Sequence, residues 1–186
     1  MNIHIGISNL WLLYVLAYAI ALPMQAWANK KRGQPFDNPE FLFRGKTIFL
    51  LAMIWLITGF IISLFVPITF GARLIVGSCF YIGGLLVTAF AFSSFANHCG
   101  LTTTGIHRYS RNPLYVGWVF VLFGLTLMGW SASISSVLFL IYFILTIPYF
   151  HWTVLLEEEF LTSKYGDSYR QYLSRSSRYF GLSKRV

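Results

Sequence analysis

Thr102–Trp118, TTTGIHRYSRNPLYVGW, sets two arginines, a histidine and an Asn-Pro pair in the middle of a chain that is otherwise apolar. Working outward, hydrophobic runs flank it on both sides: residues 71 to 96 before it, 113 to 130 overlapping its end, then 132 to 154. Two more, 8 to 28 and 46 to 67, lie further upstream. A helix crosses the hydrocarbon core of a bilayer with about 20 apolar residues. The expected fold class is therefore all-α: an integral membrane bundle of about five transmembrane helices with a short helical tail. Composition points the same way, since 11% of residues are charged and 56% hydrophobic, against roughly a quarter charged in a soluble domain.

A formal net charge of +8 would suggest nucleic acid if it formed a basic face on a soluble domain. Here the charges lie in the breaks between apolar runs, so no nucleic-acid partner is expected. They read as topology signals instead. Thirteen of the fourteen Lys and Arg residues fall on one side of the five-span arrangement, in the 29 to 46 loop, the 97 to 112 loop and the tail, and Arg73 alone falls opposite. By the positive-inside bias the N-terminus is outside and the tail cytoplasmic; the bias is the same in both membranes, and the short chain favours a prokaryotic inner membrane over the endoplasmic reticulum. All six acidic residues share the cytoplasmic side, so charged chemistry is confined to one face. Trp11, Trp27, Trp55, Trp118, Trp130 and Trp152 are expected to anchor span ends at the lipid–water boundary.

Several classes are set aside. Cys79 and Cys99 have no CxxC or HxxxH context, so neither a disulfide framework nor a metal site is expected. No Lys or Arg precedes the first apolar run, which fits a retained span better than a cleaved signal. No GxGxxG motif marks a dinucleotide fold.

Two polar segments remain. Asn112-Pro113 reads as a helix start, with Asn as N-cap and Pro in the first turn; its free amides, with Arg108 and Arg111 nearby, suit an anionic or polar ligand group. A basic loop obeying the charge bias is the plainer explanation. At the end of the fifth run, Glu157, Glu158 and Glu159 cannot share one helical face, because successive residues turn by about 100°. At least one should face the bundle interior, unless the triplet simply marks the membrane exit. Beyond it, Tyr165, Tyr169 and Tyr172 are spaced as one helical stripe interrupted by Gly166, which with Asp167 and Ser168 reads as a helix stop and a new N-cap. Two short helical pieces are expected there. An aromatic, basic tail could also adhere to anionic headgroups.

Taken together, GIHRYSRNPLYVGW and LLEEEFLTSKYGDSYRQYLSRSSRYF resemble the membrane methyltransferases that include isoprenylcysteine carboxyl methyltransferase and phospholipid N-methyltransferases. The shared pattern falls on Gly105, His107, Arg108, Arg111, Asn112, Pro113, Tyr115 and Gly117, then on Glu157, Glu158, Leu161, Tyr165, Gly166, Tyr169 and Tyr172, with Arg175 or Arg178 as the terminal arginine. Asn112 stands where the family commonly has His, and SSRYFG replaces the usual ending. The resemblance implies an S-adenosylmethionine site at the cytoplasmic ends of the last two spans, with Gly105, His107, Arg108, Arg111, Asn112, Pro113, Tyr115, Glu157, Glu158, Tyr165 and Tyr169 binding the cofactor. Glu158, Arg175, Arg178 and Tyr115 would be the catalytic residues. It divides the chain into three N-terminal spans, 1–96, and a methyltransferase core, 97–186.

The expected activity is S-adenosylmethionine-dependent methyl transfer to a membrane-embedded or amphiphilic acceptor, either a carboxylate of the isoprenylated-cysteine type or a lipid amine. The acceptor is expected to be a lipid or lipidated small molecule. Two alternatives stay open: an NADPH-dependent enzyme resembling sterol reductases, and a non-catalytic subunit that binds lipid or a partner. A lateral opening toward lipid is expected between the fourth and fifth spans, near Tyr115 and residues 148 to 152, where Pro148 removes one helical hydrogen bond.

Overall fold

The computed structural model describes residues 6, 8–33 and 46–181. These residues fold into six α-helices: α1 (Trp11–Arg32), α2 (Lys46–Ser63), α3 (Ala72–Ala96), α4 (Pro113–Met128), α5 (Ile134–Tyr165) and α6 (Asp167–Arg175), with a 3₁₀ turn at Gly105–Arg108. Each expected span overlaps one of the first five, with α1 and α5 running beyond the expected ends at 28 and 154. Most of the 29 to 46 loop, with Arg44, and the terminal Lys184 and Arg185 lie outside the described residues.

The protein is an integral membrane helical bundle. α1, α3 and α5 are each long and apolar enough to cross a bilayer, and α2 and α4 are apolar but shorter. Leu22, Leu50, Ile54, Ile75, Phe90 and Ile144 all face outward. Such a belt is unfavourable against water and suited to lipid.

Packing is closest between α3 and α4. A Cβ on Gly84 would lie 2.5 Å from the Gly117 carbonyl oxygen, and one on Gly124 would lie 2.5 Å from that of Gly77. The two helices run antiparallel with their backbones touching, as small residues permit in lipid. Buried hydroxyls tie the other helices in. Tyr14 donates to the Leu56 carbonyl at 3.1 Å, and its oxygen lies 3.3 Å from that of Tyr142. Tyr81 reaches the Leu13 carbonyl at 2.8 Å. Trp55 departs from the expected boundary role: its Nε1 donates to Thr146 at 3.0 Å and its ring stacks on Tyr142 and Tyr149. Trp118 likewise packs inward, against Tyr18. Both indoles satisfy a packing need of the bundle rather than an interfacial one.

The largest difference from expectation is the length of α5. It passes through Pro148 and the glutamate triplet without a break, for 32 residues. Residues 155–161 carry no helix breaker and include strong helix formers, so nothing in them stops the helix. Gly166 does, at φ +54°. The tail is thus a continuation of α5 followed by one short helix, rather than two short pieces. Asp167 opens α6 as its first helical residue; the N-cap is Gly166, with no side-chain cap.

Candidate active site

The 97 to 112 loop, the start of α4, the last third of α5 and the segment after α6 meet at one end of the bundle. The C-terminus of α1 braces the loop there. Lys31 Nζ donates to Asn97 at 2.7 Å, Arg32 bonds the Gly100 carbonyl, and the Arg32 guanidinium sits 4.0 Å over the Phe95 ring. Gly105 turns the loop at φ +61°, with its missing Cβ directed at Ser94. A side chain there would be strained whatever the space.

Helical rotation distributes the three glutamates as their spacing requires. Glu159 is exposed, Glu158 is buried, and Glu157 is half-buried. Glu158 is the centre of a charged knot. Arg111 donates to its Oε1 through Nε at 3.2 Å and Nη2 at 3.1 Å. Arg178 donates to Oε2 through Nη2 at 2.8 Å, and Asn112 Nδ2 approaches Oε1 at 3.4 Å. Arg111 also donates to the carbonyls of Leu173 and Ser176. One guanidinium therefore bridges loop, α5 and tail. Burial pushes the Glu158 carboxyl up, but the hydrogen bond from Arg178 and the charge of Arg111 outweigh it and hold it below the usual range. The carboxylate in turn raises Arg178.

The backbone of the tail is stitched to the same loop. Arg111 N–H donates to the Ser177 carbonyl at 2.9 Å, Asn112 Nδ2 to that of Arg178 at 3.2 Å, and Tyr172 Oη to that of His107 at 2.7 Å. Asn112 occupies the N-cap position of α4 and Pro113 its first turn, yet the Asn112 side chain makes no capping bond. Its amide is used on Glu158 and the tail instead.

Beside the knot lies a narrow pocket of about 70 Å³ with a mixed lining, in which Thr102, His107, Arg111, Asn112, Tyr115, Glu157, Tyr169 and Tyr172 stand among apolar side chains such as Phe95 and Leu161. Tyr115 donates to Glu157 Oε2 at 3.0 Å. His107 Nε2 and Thr102 Oγ1 are buried and have no hydrogen-bond partner among the described residues. Buried polar atoms are rarely left so, and both border this pocket. Burial brings His107 down to about 4, so the ring is neutral at pH 7 and one nitrogen can accept. Burial, reinforced for Tyr169 by the charge of Glu158, pushes Tyr169 and Tyr172 up. Both remain neutral donors.

Tyr115 also borders two further cavities. An apolar cleft of about 300 Å³ opens between α4 and α5, and a second cleft of about 290 Å³, which also reaches Glu157, extends toward α1 and α2.

The sequence-derived candidates therefore separate by location. His107, Arg111, Asn112, Pro113, Tyr115, Glu157 and Tyr169 line the 70 Å³ pocket. Glu158 and Arg178 form the knot beside it. Arg108 and Arg175 instead line an adjoining polar cleft of about 450 Å³, which shares Leu101 and Tyr172 with the pocket. Gly105 shapes the loop, and Tyr165 ends α5 away from the pocket with its ring near Lys164. Of the two candidate terminal arginines, Arg178 reaches Glu158. Sequence reasoning did not single out Thr102, which belongs to no motif, and it placed Tyr172 in the tyrosine stripe and the shared pattern but not among the cofactor-binding residues. Among the described residues no cluster of potential metal ligands is present.

No curated protein and no solved structure gives a significant match. The family profile for phospholipid methyltransferase matches residues 73–168, 96 of the chain's 186 residues, a span that includes α3, α4, α5 and the loop with Arg111 and Asn112. With a match over more than half its length, the chain belongs to the phospholipid methyltransferase family.

Proposed function

We propose that the protein transfers a methyl group from S-adenosylmethionine to an acceptor held in or at the membrane, either a lipid amine or a carboxylate of the isoprenylated-cysteine type. The observation that carries this reading is the position of Tyr115, bonded to Glu157, between a pocket that holds the charged and hydroxyl-bearing motif residues and an apolar cleft between α4 and α5. A polar donor and an apolar acceptor need separate approaches to one point, and Tyr115 stands where two such approaches meet.

The lining suits the cofactor's chemistry. Glu157 offers negative charge to a cationic or hydroxyl-bearing ligand, while Thr102 and His107 hold buried hydrogen-bonding atoms without partners. Arg108 and Arg175, on the adjoining cleft, suit an anionic group, for which paired guanidinium contacts are favourable. The bound cofactor supplies an electrophilic methyl group on a sulfonium centre. The protein's part is alignment and exclusion of water. Tyr115 fixes the Glu157 carboxylate, and the Glu158 knot holds the tail across the pocket. A pocket of about 70 Å³ falls short of the roughly 300 Å³ or more that small-molecule sites occupy, so loading requires the tail or loop to yield. In this reading the pocket faces the cytoplasm, with the N-terminus outside, and residues 97–186 carry most of the chemistry.

The test is binding and turnover with the purified full-length chain in bilayers. Labelled S-adenosylmethionine should bind and NADPH should not, and label should pass to phosphatidylethanolamine or to an S-farnesylcysteine analogue. NADPH binding without S-adenosylmethionine binding would replace this reading with a reductase, and binding of neither would leave a lipid-binding subunit.

A further inference from the structure

The apolar cleft between α4 and α5 is walled by Val119, Phe120, Ile147 and Phe150 and closed on one side by the tail residues Tyr179 and Phe180. Phe180 stacks on Phe120 with ring centroids 5.9 Å apart, which pins the tail along the opening. Within this hydrocarbon lining one side chain carries an imidazole. His151 presents its ring to the cleft, and its Nδ1 lies 2.7 Å from Tyr179 Oη. The far wall is Tyr115, whose ring meets Phe150 edge-on at 5.4 Å and whose hydroxyl is bonded to Glu157. His151 is exposed at this cleft and Tyr115 is the more enclosed of the two.

We propose that His151, oriented by Tyr179, is the proton acceptor for an amine-bearing lipid in this cleft; the proposal rests on the methyl-transfer reading above. A primary or secondary amine is protonated at neutral pH and has no lone pair to attack with, whereas a carboxylate acceptor is already ionised. A base at the lipid-side entrance therefore has a purpose only for an amine. In the tautomer whose Nδ1–H donates to Tyr179, Nε2 carries the lone pair. The ammonium N–H bond breaks, its proton passes to Nε2 and the electron pair stays on nitrogen. That pair then forms the new N–C bond to the methyl carbon, and the C–S bond breaks with its electrons going to sulfur. The N-methylated product leaves as an ammonium ion and the imidazolium returns its proton to water, so charge and protons balance.

The ionisable groups facing His151 are Tyr179 from the tail and Tyr115 from α4. Beyond them, Arg178 is neutralised by Glu158 and Glu157 is bonded to Tyr115. None of these is a competing base at the lipid side of the cleft.

The experiment compares wild type, His151→Gln and Tyr179→Phe, full length in bilayers containing phosphatidylethanolamine, by kcat across pH and by calorimetric binding of S-adenosylmethionine. General bases contribute about 100- to 10,000-fold. His151→Gln should lose kcat in that range near neutral pH with cofactor affinity unchanged. Its deficit should shrink about tenfold per pH unit as the free amine fraction rises in solution. Tyr179→Phe should shift the pH profile with a smaller loss. A deficit that is the same at every pH, or that comes with lost cofactor binding, would show that the pair only clasps the tail and would overturn the proposal. Wild type that binds cofactor and esterifies a carboxylate lipid but never methylates an amine would overturn the amine assignment alone. Wild type that does not bind S-adenosylmethionine would overturn the reading beneath it.

Discussion

Replacing Glu158 by Gln removes the charge that holds two arginines from different chain segments. The Arg111 side chain is 10% exposed and that of Arg178 37%. Removing one partner of a buried ion pair costs about 3 to 5 kcal/mol, which applies to the Arg111 side. The Arg178 side is partly screened by water and contributes nearer about 1 kcal/mol or less. Gln keeps one oxygen acceptor, and Arg111 keeps the Leu173 and Ser176 carbonyls, so the loss should settle at roughly 2 to 3 kcal/mol. At about 1.4 kcal/mol per tenfold, the fraction of protein with its tail undocked should rise roughly 30- to 140-fold. Trypsin cleavage at the exposed Arg170 and Arg175 follows that fraction when opening is fast relative to cleavage. The companion variant Arg178→Gln should cost less, and in the double variant the two losses should fall short of their sum. Cleavage of Glu158→Gln within twofold of wild type, or strict additivity of the two substitutions, would refute the knot as the tail's fastening. The pH dependence has a definite sign. The folded-state value is depressed, so docking stability is fully present above the ordinary carboxylate value near 4.5 and is lost as pH falls through the lower folded value.

The seam of α3 and α4 gives a matched pair of variants: Gly84→Ala should force the backbones apart and cost about 1 to 3 kcal/mol in unfolding assays in detergent, while Gly83→Ala, which faces open space, should be near neutral. Glu157→Gln should weaken S-adenosylmethionine binding roughly 10- to 150-fold, the loss of one charge-assisted hydrogen bond, whereas Glu159→Gln should leave the calorimetric isotherm unchanged. His107 titrates near 6.5 in an unfolded chain and near 4 when buried, so the unfolded form binds the extra proton between those values. Thermal stability should fall by at most roughly 3 kcal/mol as pH drops from about 6.5 to about 4, stay level in this respect below that, and lose this slope in His107→Gln.

The helices were legible in the sequence because hydrocarbon thickness imposes a length that composition reveals. The course of α5 past residue 154 was not, because the polarity that begins there ends the apolar belt and leaves the end of the helix unmarked until Gly166. The glutamate triplet yielded to rotation alone: three adjacent residues had to face three ways, and they do. What spacing could not supply was partnership. Glu158 is satisfied by Arg111 and Arg178, 47 and 20 residues away, and no local rule pairs them. Arg175 and Arg178 were equivalent in sequence because only the fold of the segment after α6 brings one of them to the carboxylate. Likewise the His151–Tyr179 pair, 28 residues apart, belongs to no motif.

The unbroken run of α5 makes it a ruler. From Ile134 to Glu158 it rises about 36 Å at 1.5 Å per residue, while a bilayer's hydrocarbon measures about 30 Å. Its carboxylates therefore surface at headgroup depth only when lipid thickness and helix length agree. Hydrophobic mismatch, relieved by tilting the helix, acts directly on the height of Glu157 and Glu158 above the acyl chains. Shorter or longer acyl chains should therefore retune the site with no change of sequence.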